Sequence, residues 1–212
     1  MKYIAVVIST LLFSFNSSAA NELIIDNSPL TVFLSDGNQA KLASCSDFVA
    51  LHNSGESVKE LPDLSDPDYR YAKDALFGCW LSATVIKNGL LKSDSKKPDL
   101  VSVLKHFPAK AAYTISDELA QKVQTEYADK SIQDYTPDLK VTGGRALSTT
   151  QSTGYFIDNY YSFVAKDNKK LNILVLVEYA LGGTAGNKSF WRIDDTSGDI
   201  WKITKLDENS PL

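Results

Sequence analysis

The sequence predicts an α+β fold in which N-terminal, disulfide-stapled helices pack on one face of a C-terminal antiparallel β-sheet of four or five strands. Three observations predict it. Apolar residues recur at spacings of three and four between Ala40 and Tyr127, then at alternate positions after Pro137. The chain opens on an export leader. Its two cysteines, Cys45 and Cys79, both fall on apolar helical faces. Helices first and strands afterwards point to α+β, where alternating βα units would have pointed to a parallel sheet.

The leader reads MKYIAVVISTLLFSFNSSAA, with Lys2 before a short apolar run and small residues up to Ala20. Residues 1–20 therefore read as a signal peptide cleaved after Ala20. The run Tyr3–Phe15 is shorter than the roughly 20 residues that a hydrocarbon core requires. The expectation is a periplasmic protein whose residues 21–212 form one α+β domain, with 21–136 mainly helical and 137–212 the sheet. The whole chain carries 22 basic and 26 acidic side chains, a net charge of −4. Nucleic acid would demand a basic stripe, so it is not an expected partner. No segment after the leader is long and apolar enough to span a membrane.

Each element has its own justification. Leu23–Ile25 and Leu30–Leu34 are apolar bursts around Asp26-Asn27-Ser28-Pro29, and read as one or two short strands or an extended arm. From Ala40 to His52 the spacing is helical, stopped by Asn53-Ser54-Gly55. The clearest helix follows, with Asp66 at its N-cap and Pro67 at its first position. Tyr69, Ala72, Leu76, Cys79, Ala83, Ile86 and Leu90 make its apolar stripe, and Asn88-Gly89 ends it. An antiparallel pair of these helices brings the two cysteines together, and Gly78 suits a close approach. In an oxidising compartment the bridge is favoured over a free thiol. A third helix starts at Lys96-Lys97-Pro98 and stops at Pro108. A fourth, DELAQKVQTEYA, is capped by Ser116.

The strands read as LKVTGGRAL, GYFIDNYYSFVA, LNILVLVEYAL, SFWRID and DIWKITKL. The run Ile173–Val177 marks its strand as central and covered on both faces. A three-residue loop at Thr196-Ser197-Gly198 would set Ile193 opposite Trp201 and Trp191 opposite Ile203, which gathers four large apolar side chains on one face.

Chemical motifs are few. GGTAGNKS, Gly182 to Ser189, approaches a phosphate-binding loop, but Asn187 stands where glycine is needed and a strand follows in place of a helix. Two S-x-x-K matches, Ser93–Lys96 and Ser102–Lys105, lack companion motifs. His52 and His106 read as capping or surface residues, and no CxxC or HxxxH spacing offers a metal site. No cofactor is expected. Asp194–Asp199 reads as a solvated turn.

Aromatic residues stand out. Strict alternation puts Tyr155, Tyr161 and Phe163 on one face of their strand and Phe156 and Tyr160 on the other. One set packs under the helices. The other forms a strip on the open face, so Tyr155, Tyr160, Tyr161, Trp191 and Trp201 are the candidate binding residues. Terminal segments or a second copy of the chain are alternative covers for that strip.

FWRIDDTSGDIWKI resembles the closing strands of cystatin-like and NTF2-like domains, which would imply a small-ligand carrier. In layout, a stapled helical front half in an exported chain resembles periplasmic immunity proteins, which would imply a non-enzymatic protein that holds another exported protein. The expected function is such an inhibitor- or immunity-type binding protein. Its rival is a cell-wall or carbohydrate hydrolase with an aromatic groove, which needs two carboxylates such as Asp158 and Glu178 about 5–9.5 Å apart.

Overall fold

The computed structural model describes residues 22–183 and 185–212. The signal-peptide reading of residues 1–20 lies outside the described residues. The chain is a mixed α/β protein with two antiparallel sheets, one of four strands and one of seven. The expected four or five strands undercount it, and the helices are interleaved with strands from the start.

The small sheet comprises β1 (Ile24–Ile25), β2 (Ser28–Leu34), β3 (Gln39–Leu42) and β4 (Val58–Glu60), with β2 paired to each of the others. Asp26 and Asn27 have φ of 49° and 60°, which is the two-residue turn that a tight hairpin requires. The helix read from Ala40 is shorter than expected. Residues 39–42 pair with β2, and α1 (Cys45–Asn53) begins at a Ser44–Asp47 capping box. In α2 (Asp66–Lys87) the cap is Ser65, one residue earlier than read, with Pro67 in the first turn. Its buried residues run from Ala72 to Thr84; Tyr69 and Ile86 are exposed, so the apolar stripe covers only its middle.

Cys45 and Cys79 are bridged across 34 positions, with Cα atoms 5.0 Å apart. The staple thus joins α1 to α2 as the apolar faces predict. Gly78 is not the reason: a Cβ there would meet nothing within 4 Å.

The seven-stranded sheet runs β11-β10-β9-β8-β7-β6, with β5 (Leu91–Lys92) also paired to β8. LKVTGGRAL is two strands, β6 (Lys140–Thr142) and β7 (Arg145–Ser148). Gly143 and Gly144 turn between them at φ of 59° and 78°, a backbone that β-branched or bulky residues resist. The long strands are β8 (Thr153–Val164), β9 (Lys170–Ala180) and β10 (Gly186–Asp195), followed by the shorter β11 (Lys202–Leu206).

Helices cover both faces of this sheet, in place of the one face expected. On the first face α1, α2 and the small sheet pack with Ile173, Leu206, Tyr161, Phe163 and Phe190. On the second face α3 (Leu100–His106) and α5 (Ile132–Tyr135), with Phe107 and Ala111, pack against Tyr155, Leu174, Leu176, Trp191 and Ile203. The helix α4 (Asp117–Glu126), capped by Ser116 as read, adds Val123 to a satellite cluster with Ala109 and Tyr135. The reading of β9 as central and doubly covered holds, since Ile173 and Leu174 serve opposite cores.

Two details of register differ from expectation. The pairing of β8 with β9 shifts between Ile157 and Asn159, so Asp158 is a bulge. One extra residue inverts the alternation. Tyr155 and Tyr160 therefore share the second face, while Tyr161 and Phe163 turn to the first. In the last hairpin Ile193 faces Ile203 and Trp191 faces Lys205, two residues from the expected pairing. A slip of two keeps side chains on their face, so Trp191, Ile193, Trp201 and Ile203 still meet in one core. The loop is longer because Trp201 leaves the ladder: its main-chain N–H donates to the carbonyl of His106 at 2.7 Å, and its ring stacks on that histidine.

Candidate functional site

The site begins with a mismatch of strand lengths. β10 has ten residues and β11 has five. The pairing runs from Phe190↔Leu206 to Asp195↔Lys202, so Gly186–Ser189 have β9 on one side and no strand on the other among the described residues. After Leu206 the chain turns towards α2. The Lys73 ammonium donates to Glu208 Oε2 at 2.7 Å, Asn209 exchanges side-chain bonds with the main chain of Val58, and Trp80 Nε1 donates to the Ser210 carbonyl at 2.7 Å. This tail fastens the first face to the sheet and leaves a groove of about 630 Å³. Its floor is Ala185–Phe190. Its walls are Tyr69, Arg70 and Lys73 from α2, Lys205–Glu208 from β11 and the tail, and Tyr113.

Beneath the floor lies Glu178, only 3% exposed. Glu178, Ser189 and Trp191 share the phase of β9 and β10 that faces the second core. Its carboxylate accepts from the Ser189 hydroxyl and from Asn187 Nδ2 at 3.2 Å, and Trp191 Nε1 donates to the Ser189 oxygen at 2.7 Å. Burial pushes the Glu178 carboxyl up to about 7, against the pull of Ser189, Asn187 and the Lys205 charge. Across the pair, Tyr155 is fully buried, and its hydroxyl accepts from the Tyr113 main-chain N–H at 3.1 Å. Burial pushes that phenol up to about 12.

A second concavity of about 740 Å³ lies beside β8, lined by Lys92–Ser95, Lys97 and Asp158–Phe163. Lys97 closes one end by donating to the Ile157 carbonyl at 3.3 Å. The two concavities meet at an ion triad: Lys188 Nζ lies 2.6 Å from Asp74 and 3.1 Å from Asp158. Partial burial opposes the charge on Lys188, but bonds to the two carboxylates win and hold its ammonium above the usual lysine range. Burial likewise raises the Tyr161 phenol, with Asp158 adding to the effect.

Of the candidate binding residues, the structure brings Tyr160 and Tyr161 to the second concavity, both half-buried. Tyr155 and Trp191 are interior residues and form no part of an exposed strip. Trp201 lies elsewhere, on His106. Asp158 and Glu178 do not flank a common groove: Asp158 bonds Lys188 towards α2, while Glu178 faces the second core. His52 contacts the Ser210 carbonyl and His106 the Asp199 carbonyl, both holding the chain as end-of-helix residues do. Of the GGTAGNKS segment, Gly182 lies in the turn after β9 and Gly186–Ser189 are the first residues of β10, with Lys188 committed to the triad. Asp195 accepts from the Ser197 N–H at 2.9 Å, the solvated turn expected there. No group of three or more His, Cys, Asp or Glu is arranged to hold a metal ion among the described residues. No helix among them is long and apolar enough to cross a membrane.

Sequence reasoning missed Arg70, Asp74, Tyr113 and Ser189. One signal was present. Glu178 falls in phase with Leu174 and Leu176, so alternation alone buries a carboxylate there.

Comparison with known proteins gives no match. No protein family, curated protein or solved structure is significantly similar to this chain.

Proposed function

We propose that the protein is an exported, non-enzymatic binding protein of inhibitor or immunity type, which holds another exported protein against the surface made by the two joined concavities. The observation that carries this reading is their junction. Tyr69 and Tyr113 on one side and Tyr160 and Tyr161 on the other flank a single Asp74–Lys188–Asp158 ridge. Tyrosine supplies large contact area at low entropic cost, and with arginine it is enriched at protein interfaces. The Cys45–Cys79 bridge is compatible with an oxidising compartment.

Affinity capture from periplasmic extract with the mature chain tests the reading. The expected result is one stoichiometric protein partner whose capture weakens for Tyr69→Ala and Tyr160→Ala. Binding of a glycan or small ligand with no protein partner overturns it.

A further inference from the structure

We infer that the unpaired half of β10 is a strand-addition site: an extended segment of the partner polypeptide, carrying an acidic side chain, pairs with the main chain of Gly186–Ser189. This rests on the protein-binding reading above and specifies how the partner is held.

The geometry starts from the ladder. The Ala180 N–H donates to the Ala185 carbonyl at 2.9 Å, and the register continues through Gly186↔Tyr179 and Asn187↔Glu178. Bonded and non-bonded pairs alternate in an antiparallel ladder, so Asn187 and Ser189 direct their main-chain groups to β9. Gly186 and Lys188 direct theirs the other way. From Phe190 onwards that side belongs to β11; before it, the line is vacant among the described residues. A polypeptide in extended form presents alternating donors and acceptors at the spacing these groups require.

Edge strands are usually guarded by a projecting lysine. Lys188 stands where such a guard would be, but Asp74 and Asp158 draw its ammonium towards α2. The walls set the charge of the guest. Asp74 and Glu208 are neutralised by Lys188 and Lys73, Asp207 accepts from the Asn209 N–H, and Asp66 lies in the first turn of α2, where the helix dipole offsets it. Arg70 and Lys205 form no ion pair among the described residues, and both face the groove. An acidic guest side chain complements them.

The test is to pan a displayed library of random unconstrained heptapeptides against the mature chain, then to read amide hydrogen exchange at Gly186 and Lys188 with the best peptide bound. Expected are peptides rich in Asp or Glu, without proline at their centre, that slow exchange at both amides about tenfold or more. Lys188→Pro removes one edge donor and should weaken binding by about tenfold. Arg70→Glu leaves the main chain intact and should weaken acidic peptides by a similar factor, which decides the matter if Lys188→Pro fails to fold. Absence of enrichment, binders that leave both amides unprotected, or protection that rises with protein concentration alone overturns strand addition; the last outcome gives the edge to a second copy of the chain. A natural partner captured equally by wild type and Lys188→Pro overturns this inference and spares the protein-binding reading. No captured partner together with no selected peptide overturns both.

Discussion

The two faces of the seven-stranded sheet are held by different means. The first face carries the 22-residue α2, the small sheet, the Cys45–Cys79 bridge and the C-terminal tail. The second carries short helices, α3 of seven residues and α5 of four, which are started by side-chain caps at Asp99 and Ser131. Isolated helices of that length do not persist in water, so their order comes from packing on Leu174, Leu176 and Trp191. The second face also encloses Glu178. Covalent closure does not respond to pH between 4 and 8, whereas a buried carboxylate does. Each perturbation below is aimed at one side of that difference.

The largest effect belongs to the staple. Replacing both cysteines, Cys45→Ser with Cys79→Ser, should cost about 2–5 kcal/mol, the usual loss when a native disulfide is removed from a small domain. Urea unfolding measures it, and the loss should be the same at pH 5 and pH 8. Denatured, non-reduced protein should not react with a thiol reagent. Two reactive thiols in that experiment would remove the covalent account of the first face.

On the second face the sign of the pH dependence follows from Glu178. Its folded carboxyl sits at about 7 against an ordinary 4.5, so the folded state keeps a proton that the unfolded state has released across that window. Stability from this group is fully present below about 4.5 and is lost as pH rises through 7. At about 1.36 kcal/mol per unit, the swing is roughly 3 kcal/mol. Glu178→Gln removes the titration, so it should gain on wild type by about that amount between pH 5 and pH 8. Parallel stability curves for the two proteins would mean that Glu178 ionises normally. The acid limb runs the other way. Bonds from the Ser148 hydroxyl and the Thr150 N–H hold the Asp138 carboxyl down at about 2, and that contribution is lost as pH falls through this value.

How much of this was legible varied with element length and periodicity. α2, β8 and β9 announce themselves, because many turns or many alternations average out local noise. β3 and β4 do not. Gln39–Leu42 and Val58–Glu60 are too short to carry a pattern, and only their partner β2 makes them strands. The bulge at Asp158 has no signature in residue type, yet it exchanges the faces of Tyr160 and Tyr161 relative to Tyr155. Coverage of both faces was half visible: the apolar run Ile173–Val177 called for it, but nothing local tells which helices go where. The groove was invisible for a related reason. It arises from β11 stopping opposite Phe190, and β11 stops where its tail meets Lys73, Val58 and Trp80, all distant in sequence.

A smaller effect tests where β8 enters the sheet. Gly154 pairs with Tyr179, and a Cβ at this position would fall 2.3 Å from the tyrosine ring. The ring covers the glycine much as an aromatic covers a bare patch of backbone. Gly154→Ala must displace it, at a cost of about 1–3 kcal/mol for overpacking. Tyr179→Ala in the same chain should restore part of the loss, because the clash partner is gone. If Gly154→Ala is neutral by thermal unfolding, the ring swings freely and does not close that edge of the first face.

The smallest effect concerns the ridge between the two concavities. Lys188 has two carboxylate partners, and the nearer, Asp74 at 2.6 Å, remains when Asp158 is neutralised. All three side chains are about a third to two-fifths exposed, so water and salt screen them. Asp158→Asn should therefore cost less than about 1 kcal/mol, with most of that difference gone in high salt. Asp74→Asn should behave alike, and the double variant should cost more than the sum of the two, since only then does the partly buried ammonium lose every partner. A double-mutant cycle at low and high salt reads this directly. Additive, salt-insensitive losses would show that the ridge is held by packing of Asp158 in its bulge, and that Lys188 is free to guard the strand edge after all.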